Sequence, residues 1–291
     1  MSTALVPVEP QPVAIPAQAD DDEHMLRLWL ARSSSPNTRR NYEREARRFL
    51  AHVGRPLAAV RMGDLQEYIA GRPGSSATTA LSAAALKSLF AFAQEAGYLR
   101  FNVGAAVKVP PIKNTLAERI MPEGDALLMI RQEPALRNRV LLTVLYGGGL
   151  RISEVCSLRW RDLAPRDEAG QATVFGKGGK TRVVLLSAAT WKVLQALREE
   201  ALADDPVFRS RKGGALDPSA VHRIVKAAAA RAGLPADVSA HWLRHAHASH
   251  ALDRGAPIHL VQATLGHASV ATTGRYLHAR PSESSARFLG V

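Results

Sequence analysis

The chain has 291 residues, 46% of them hydrophobic, with a formal charge of +12 and a pI near 10.4. The length suits two domains, and the excess of Lys and Arg suits a polyanionic partner, above all nucleic acid. One cysteine, Cys156, excludes an internal disulfide and fits a reducing compartment; with no long unbroken apolar run and no basic apolar leader, the chain reads as cytoplasmic rather than membrane-bound or secreted.

Residues 1–22 carry Pro7, Pro10, Pro12 and Pro16 without periodicity and read as a disordered tail. The first 23 residues hold five acids and no Lys or Arg, so the remainder is more basic still. Helical spacing begins near His24. Ser33-Ser34-Ser35-Pro36 is a loop with an N-cap signal, and Tyr42, Ala46, Phe49, Leu50 and Val53 then recur on one helical face. Asp64 marks a short helix over 65–69, and an Ala/Leu helix over about 78–96 stops at Gly97. Residues 23–106 thus predict a small helical domain. Residues 107–115, with two prolines and two lysines, predict an extended basic linker. Residues 116–291 predict a second domain, mainly helical, with β-type runs at 172–175 and 181–186 around the turn Gly176-Lys177-Gly178-Gly179-Lys180. Helical pattern returns over 218–232 and 241–254, and Thr272 and Thr273 open a short helix bearing Tyr276.

Four segments carry residues suited to phosphate chemistry. In Gly147-Gly148-Gly149-Leu150-Arg151-Ile152-Ser153-Glu154, glycines end an apolar helix and let the backbone pass close to a neighbour; Arg151 stands at the junction with the next helix. A guanidinium suits phosphate because its planar fork donates two parallel hydrogen bonds. Alone, Arg151 reads as a structural arginine paired with Glu154. The turn at 176–180 invites comparison with a P-loop, but position 174 is Val where that loop needs Gly, and a strand rather than a helix follows. In His241-Trp242-Leu243-Arg244-His245, the i, i+3 spacing puts His241 and Arg244 on one face, within reach of one phosphate. His241 and His245 also have the i, i+4 spacing of zinc helices, yet no Glu follows the first His and no Cys is near. Last comes Leu265-Gly266-His267, with Tyr276 nine residues on.

Each signal is weak alone, but five in order, the Arg151–Glu154 run, the turn with Lys177, His241-x-Leu-Arg244-His245, Leu-Gly-His267 and Tyr276, resemble the tyrosine recombinase (phage integrase) family, in particular its short Xer-like members. The resemblance covers nearly all of the chain beyond the tail; Thr38 and Tyr42 with the Phe49 pattern match the first domain less specifically. It implies a fold that is mainly α with a small β-sheet: a helical, SAM-like core-binding domain and a mixed α/β catalytic domain. It implies that Tyr276 attacks a scissile phosphate, leaving a 3′-phosphotyrosyl link and a free 5′-hydroxyl. Arg151 and Arg244 would clamp the non-bridging oxygens, and His241 and His267 would add hydrogen bonds and help manage the tyrosine proton. Lys177 would protonate the leaving 5′-oxygen, with Lys180 as the alternative, and Glu154 would support the site from behind. Neither metal nor other cofactor is required, because protein cations take the place of magnesium.

The departures are small. Ala246 and His247 follow the Arg-His pair, where Ser or Thr is common, and are expected to face the helix interior. The resemblance further implies double-stranded DNA held in a clamp. It also implies a tetramer on paired DNA sites, joined by docking of the segment around 284–289 on a neighbouring protomer, with a related recombinase or accessory protein as a further partner. Relaxation of DNA in the manner of a type IB topoisomerase is the alternative enzyme reading. A DNA-binding regulator with a decayed site is the non-enzymatic one, against which all six catalytic positions carry the family's residue types.

Overall fold

A computed structural model describes residues 18–111, 114–176 and 179–279. It divides into two compact units between Lys113 and Asn114. The fold is mainly helical with one small sheet, as the resemblance implies.

The first unit is built from α1 (Asp22–Ala31), α2 (Pro36–Val53), α3 (Met62–Ala70) and α4 (Ser76–Glu95). Its ordered start lies earlier than expected. Residues 1–17 lie outside the described residues, but the acids after them are structural rather than part of a loose tail. Asp21 caps α1, accepting from the His24 N–H at 2.7 Å. Asp22 accepts from the Leu57 N–H at 2.9 Å and the Tyr98 hydroxyl at 2.7 Å. Ser35 caps α2, whose first residue is Pro36, a position where the missing N–H costs nothing. Phe49, Phe90, Leu86, Leu89, Met25 and Leu26 fill the core. The 20-residue helix α4 has the length and apolarity of a membrane span, but Ala83, Leu86, Leu89, Phe90 and Ala93 are buried in this core. Val107, at the start of the predicted linker, is buried in the same core.

One carboxylate lies inside this unit. Glu45 is 5% exposed and accepts from Tyr68 Oη (2.8 Å), Ser82 Oγ (2.6 Å), Arg72 Nε (3.1 Å) and Arg72 Nη2 (2.9 Å). Burial alone would raise its pKa. The hydrogen bonds from Ser82, Arg72 and Tyr68 outweigh that and hold it below the ordinary carboxylate value.

The second unit contains α5 (Glu123–Arg131), α6 (Leu136–Gly147), α7 (Ile152–Ser157), β1 (Leu163–Arg166), β2 (Ala169–Phe175), β3 (Thr181–Leu186), α8 (Ala188–Gln195), α9 (Pro218–Arg231), α10 (Ala240–Asp253), α11 (Ile258–Leu265) and α12 (Val270–Ala279). The strands form an antiparallel sheet in the order β1-β2-β3, with Leu163 opposite Ala172 and Ala172 opposite Val184. Ala172, Val174, Val184 and Leu186 point inward; α8 packs on β2 and α11 on β3. Gly170 is required there, because a Cβ would sit 2.1 Å from the Trp191 ring. The sequence predicts β2 and β3 but not β1, whose Pro165 argues against a strand. Pro165 is tolerated because β1 lies at the sheet edge. The apolar helix α6 packs on α8 and α10, placing Val140, Leu141, Val144 and Leu145 at the centre of the core. Cys156 is a partly buried core neighbour, its thiol pushed up to about 11 by burial.

Glu45→Ala should destabilise the helical unit by about 3–5 kcal/mol, because it leaves Arg72 buried without its partner. Chemical denaturation of the full chain measures this; a loss under about 1 kcal/mol would mean that water replaces the carboxylate freely.

Candidate active site

The site begins where α6 ends. Gly149 has φ of +59°, and a Cβ there would fall 2.8 Å from His247 Cδ2 and 2.9 Å from Leu265 Cδ2. Only glycine lets the chain pass so close beneath α10 and α11. The turn sends Leu150 into the core and leaves Arg151 as the N-cap of α7. Glu154, in the first turn of α7, reaches back to accept from the Arg151 backbone N–H (2.8 Å) and from Arg151 Nη1 (3.0 Å). Its carboxylate is 2% exposed and takes two more bonds from Arg182 on β3, at 2.7 and 2.9 Å. Arg182 also donates through Nε to the Thr264 carbonyl at 2.7 Å. The Glu154–Arg182 pair therefore ties α7, the sheet and α11 together. Burial would raise the Glu154 pKa, but bonds from Arg182 and Arg151 outweigh it and hold the carboxyl below its ordinary value.

Arg244 lies on α10 and is 4% exposed. Its guanidinium donates to the carbonyls of Gly149 and Leu265, one at each of the turns that carry Arg151 and His267. Arg151 Nη2 approaches the Gly266 carbonyl at 3.4 Å. Burial, and then the nearby Arg151, push the Arg244 pKa down to about 10, which leaves it charged at neutral pH. His241, one turn earlier on α10, is exposed; partial desolvation first, and then Arg244 and Arg151, lower its pKa.

Tyr276 is buried on α12, against Leu116, Ile120, Val261 and Leu265. Its hydroxyl oxygen lies 2.8 Å from His245 Nδ1. On its other side the His267 ring runs parallel to the phenol, 4° apart in plane and 6.4 Å between centroids. His267 Nδ1 is engaged with Thr273 Oγ1 at 2.9 Å. The His245 and His267 pKa values are each pushed down to about 4, mainly by burial. For His245 the nearby His241, Arg119, Arg244 and Arg275 add to the shift, and for His267 Arg244, Arg151 and Arg182 do. Burial also raises the Tyr276 phenol, against the downward pull of Arg244, Arg275 and Arg151.

Five of the predicted residues, Arg151, Glu154, Arg244, His267 and Tyr276, therefore meet around the turns at Gly149 and Gly266. His241 joins them through its ring, stacked 6.0 Å from that of His245. Lys177 lies outside the described residues. The hairpin that carries it leaves the sheet beside the site: Gly176 donates to the Lys180 carbonyl at 2.7 Å, and a Cβ at Gly176 would lie 4.0 Å from Glu154 Oε1. The segment after this turn is strand β3, not the helix a P-loop requires. Among the described residues, no group of three or more His, Cys, Asp and Glu side chains is arranged to hold a metal.

Three site residues escape the sequence patterns. Arg182 reads there only as part of a strand. His247, expected simply to face the helix interior, accounts for Gly149: its ring packs on that glycine and its Nδ1 lies 2.8 Å from the Tyr146 carbonyl oxygen. His245 holds the tyrosine hydroxyl; its i, i+4 relation to His241 is visible in the sequence, but as a zinc signal.

Comparison with known proteins agrees with this geometry. Residues 117–283 match the model of the phage integrase family, and residues 22–97 match the phage integrase N-terminal SAM-like domain. The chain belongs to the phage integrase family. It is 34% identical over 290 residues to the tyrosine recombinase XerC of Brucella suis biovar 1 (strain 1330), covering 90% of this chain and 91% of that relative. It is 33% identical over 303 residues to XerC of Mesorhizobium japonicum, covering 95% and 94%. Among solved structures, a lambda integrase(75-356) dimer bound to a COC′ core site matches with a TM-score of 0.74 at 19% identity, covering 90% of this chain and 95% of that one. The XerH recombinase bound to its difH substrate before cleavage matches at 0.67 and 22%, covering 93% and 84%. At these identities the structural matches speak for the fold, and in this integrase-family fold the Arg151 turn and α12 converge on one place.

Glu154→Ala leaves Arg182 and Arg151 without their carboxylate and should destabilise the second unit by about 3–5 kcal/mol. Because the folded-state pKa of Glu154 is depressed, its contribution is complete above the ordinary value of 4.5 and is lost as pH falls through the lower folded value. The stability gap between the native protein and the variant, followed by denaturant midpoint, should therefore hold steady from pH 8 to 5 and narrow below about 4.5. A gap that does not change with pH would show that Glu154 acts through packing alone.

Proposed function

We propose that the protein is a site-specific DNA recombinase that cuts and rejoins strands through a 3′-phosphotyrosyl intermediate on Tyr276, without metal or ATP. The observation that carries this reading is the buried Arg244 guanidinium, which links the Arg151 turn to the His267 turn beside the buried phenol.

Arg151 and Arg244 grip the non-bridging oxygens, where charge builds in the transition state. His241 and His267 complete the cage of donors. Lys177, on the hairpin that leaves the sheet beside Glu154, gives a proton to the departing 5′-oxygen; Lys180 is the other candidate for that task. Forming the phosphotyrosine conserves the energy of the phosphodiester, so religation to a different 5′-hydroxyl needs no nucleotide. Glu154 touches no DNA in this scheme; it fixes Arg151 and Arg182. Support comes from the family, from XerC relatives that match over nine-tenths of the chain, and from the solved recombinase–DNA complexes with this fold. The +12 charge fits binding dominated by phosphate contacts, so affinity should fall steeply with salt. We further propose assembly as a tetramer on paired sites and action in the cytoplasm. A solved lambda integrase of similar fold is a tetramer bound to a Holliday junction, which supports this reading.

Covalent capture from a randomised duplex library would yield a cleavable site, and a nicked version of it would trap the adduct. Tyr276→Phe should bind that DNA normally and form no adduct; an adduct on the Phe variant would transfer the nucleophile's role elsewhere. Lys177→Ala should slow cleavage by about 10²–10⁴-fold. It should recover on a 5′-bridging phosphorothiolate, whose sulfur leaves without an acid. Recovery of Lys180→Ala instead would give the proton to Lys180.

A further inference from the structure

The matched motif His241-x-Leu-Arg244-His245 contains His245, but the resemblance assigns it no role, and its ring nitrogen holds the oxygen Tyr276 would attack with. We infer that His245 is a further catalytic residue, the base that takes the Tyr276 hydroxyl proton during cleavage and returns it during religation. This inference rests on Tyr276 being the nucleophile.

The geometry singles out His245 among the three histidines near the phenol. Its Nδ1 lies 2.8 Å from the hydroxyl oxygen, within the range of a direct O–H···N bond. His267 faces the same phenol ring to ring, with its Nδ1 turned to Thr273 Oγ1. His241 lies one ring beyond, stacked on His245. Arginines approach His245 from three elements: Arg244 shares α10 with it, Arg119 comes from the short 3₁₀ turn Ala117–Arg119, and Arg275 comes from α12, with His241 on α10 and Tyr276 on α12 as the other titratable neighbours. One acid, Asp237, lines the same cavity as His241, Arg119 and His245. Burial, and then the surrounding arginines, keep the imidazole neutral, which leaves one ring nitrogen free to accept.

The step balances. The Tyr276 oxygen forms a bond to phosphorus while its proton passes to His245 Nδ1, the phosphorus–O5′ bond breaks, and the leaving oxygen takes a proton from the general acid. No prior ionisation of the phenol is needed, because its acidity rises as the bond to phosphorus forms. The incoming anionic phosphate strengthens the base by stabilising the imidazolium. In religation the 5′-hydroxyl attacks the phosphotyrosine and returns its proton to the deprotonated general acid, the phosphorus–tyrosine oxygen bond breaks, and the imidazolium reprotonates the departing tyrosine oxygen. One residue thus serves as base in cleavage and acid in religation, as microscopic reversibility demands.

The test is single-turnover cleavage of the nicked substrate at saturating protein, with DNA affinity and melting temperature measured on each variant. His245→Ala should bind DNA as the native protein does and cleave about 10²–10⁴-fold more slowly, and added imidazole should restore part of the rate. His245→Asn keeps a polar group near the Nδ1 position but offers no base, and should be as slow as the Ala variant. An Asn variant that cleaves at the native rate would overturn the proposal, leaving His245 a positioning group. Faster cleavage by either variant would also overturn it, showing that the bond restrains the tyrosine. Mass spectrometry of the native adduct separates the two levels. An adduct on a residue other than Tyr276 removes the proposed nucleophile, and His245 with it. An adduct on Tyr276 with unimpaired His245 variants removes His245 alone.

Discussion

The catalytic unit depends on one buried carboxylate. Glu154 takes bonds from two arginines that reach it from different elements, and a buried charge must be paired in this way or become neutral. The consequence is mechanical as well as electrostatic. Arg151 is held at the start of α7, Arg182 fastens β3 to the end of α11, and the two turns at Gly149 and Gly266 are brought into register. Gly266 repeats the logic of Gly149: its φ is +61°, and a Cβ would meet the Arg182 side chain at 3.0 Å. Two glycines and one acid thus set the positions of groups that lie more than a hundred residues apart in sequence.

The same arrangement leaves a charge imbalance with a purpose. Among the described residues Arg151, Arg182 and Arg244 converge, and Glu154 is the acid they share. Arg182 is consumed by that acid. Arg244 spends its donors on two backbone carbonyls, which satisfy its hydrogen bonds without neutralising its charge. Positive potential therefore remains beside the phenol, in a partly desolvated place where it acts more strongly than in water. A DNA phosphate is the natural counter-charge.

How far the sequence foretold this depends on whether a residue acts through spacing or through packing. Arg151, Arg244, His267 and Tyr276 are fixed by motifs, and their order survives any uncertainty about element boundaries. The helices were legible for the same kind of reason: Ser35-Pro36 and Ser75 cap them, and apolar residues mark their inner faces. The roles of Arg182 and His247 depend on which strand and helix lie across from them, and no local pattern encodes that. His245 is a mixed case. The i, i+3 rule pairs His241 with Arg244 and passes over the next residue, although i, i+4 brings the His241 and His245 rings together as well. The end of the proline-rich tail misled in the opposite direction. Residues 1–22 read as disordered for want of periodicity, while Asp21 and Asp22 are bound to specific donors.

One cationic field accounts for the two demands that strand exchange makes. Holding a phosphate requires charged arginines, and moving a tyrosine proton requires neutral histidines. Within one small volume burial does most to impose the second, and the charges that serve the first add to it: Arg244 lies near both His245 and His267, and each is pushed down to about 4. The arginines resist the same pressure because their intrinsic basicity is so high; even buried, Arg244 stays near 10. The phenol, raised by its burial, stays protonated until phosphorus approaches. An anion bound there offsets the cationic part of what keeps His245 and His267 weak bases, the larger part being burial, so binding and activation are electrostatically linked.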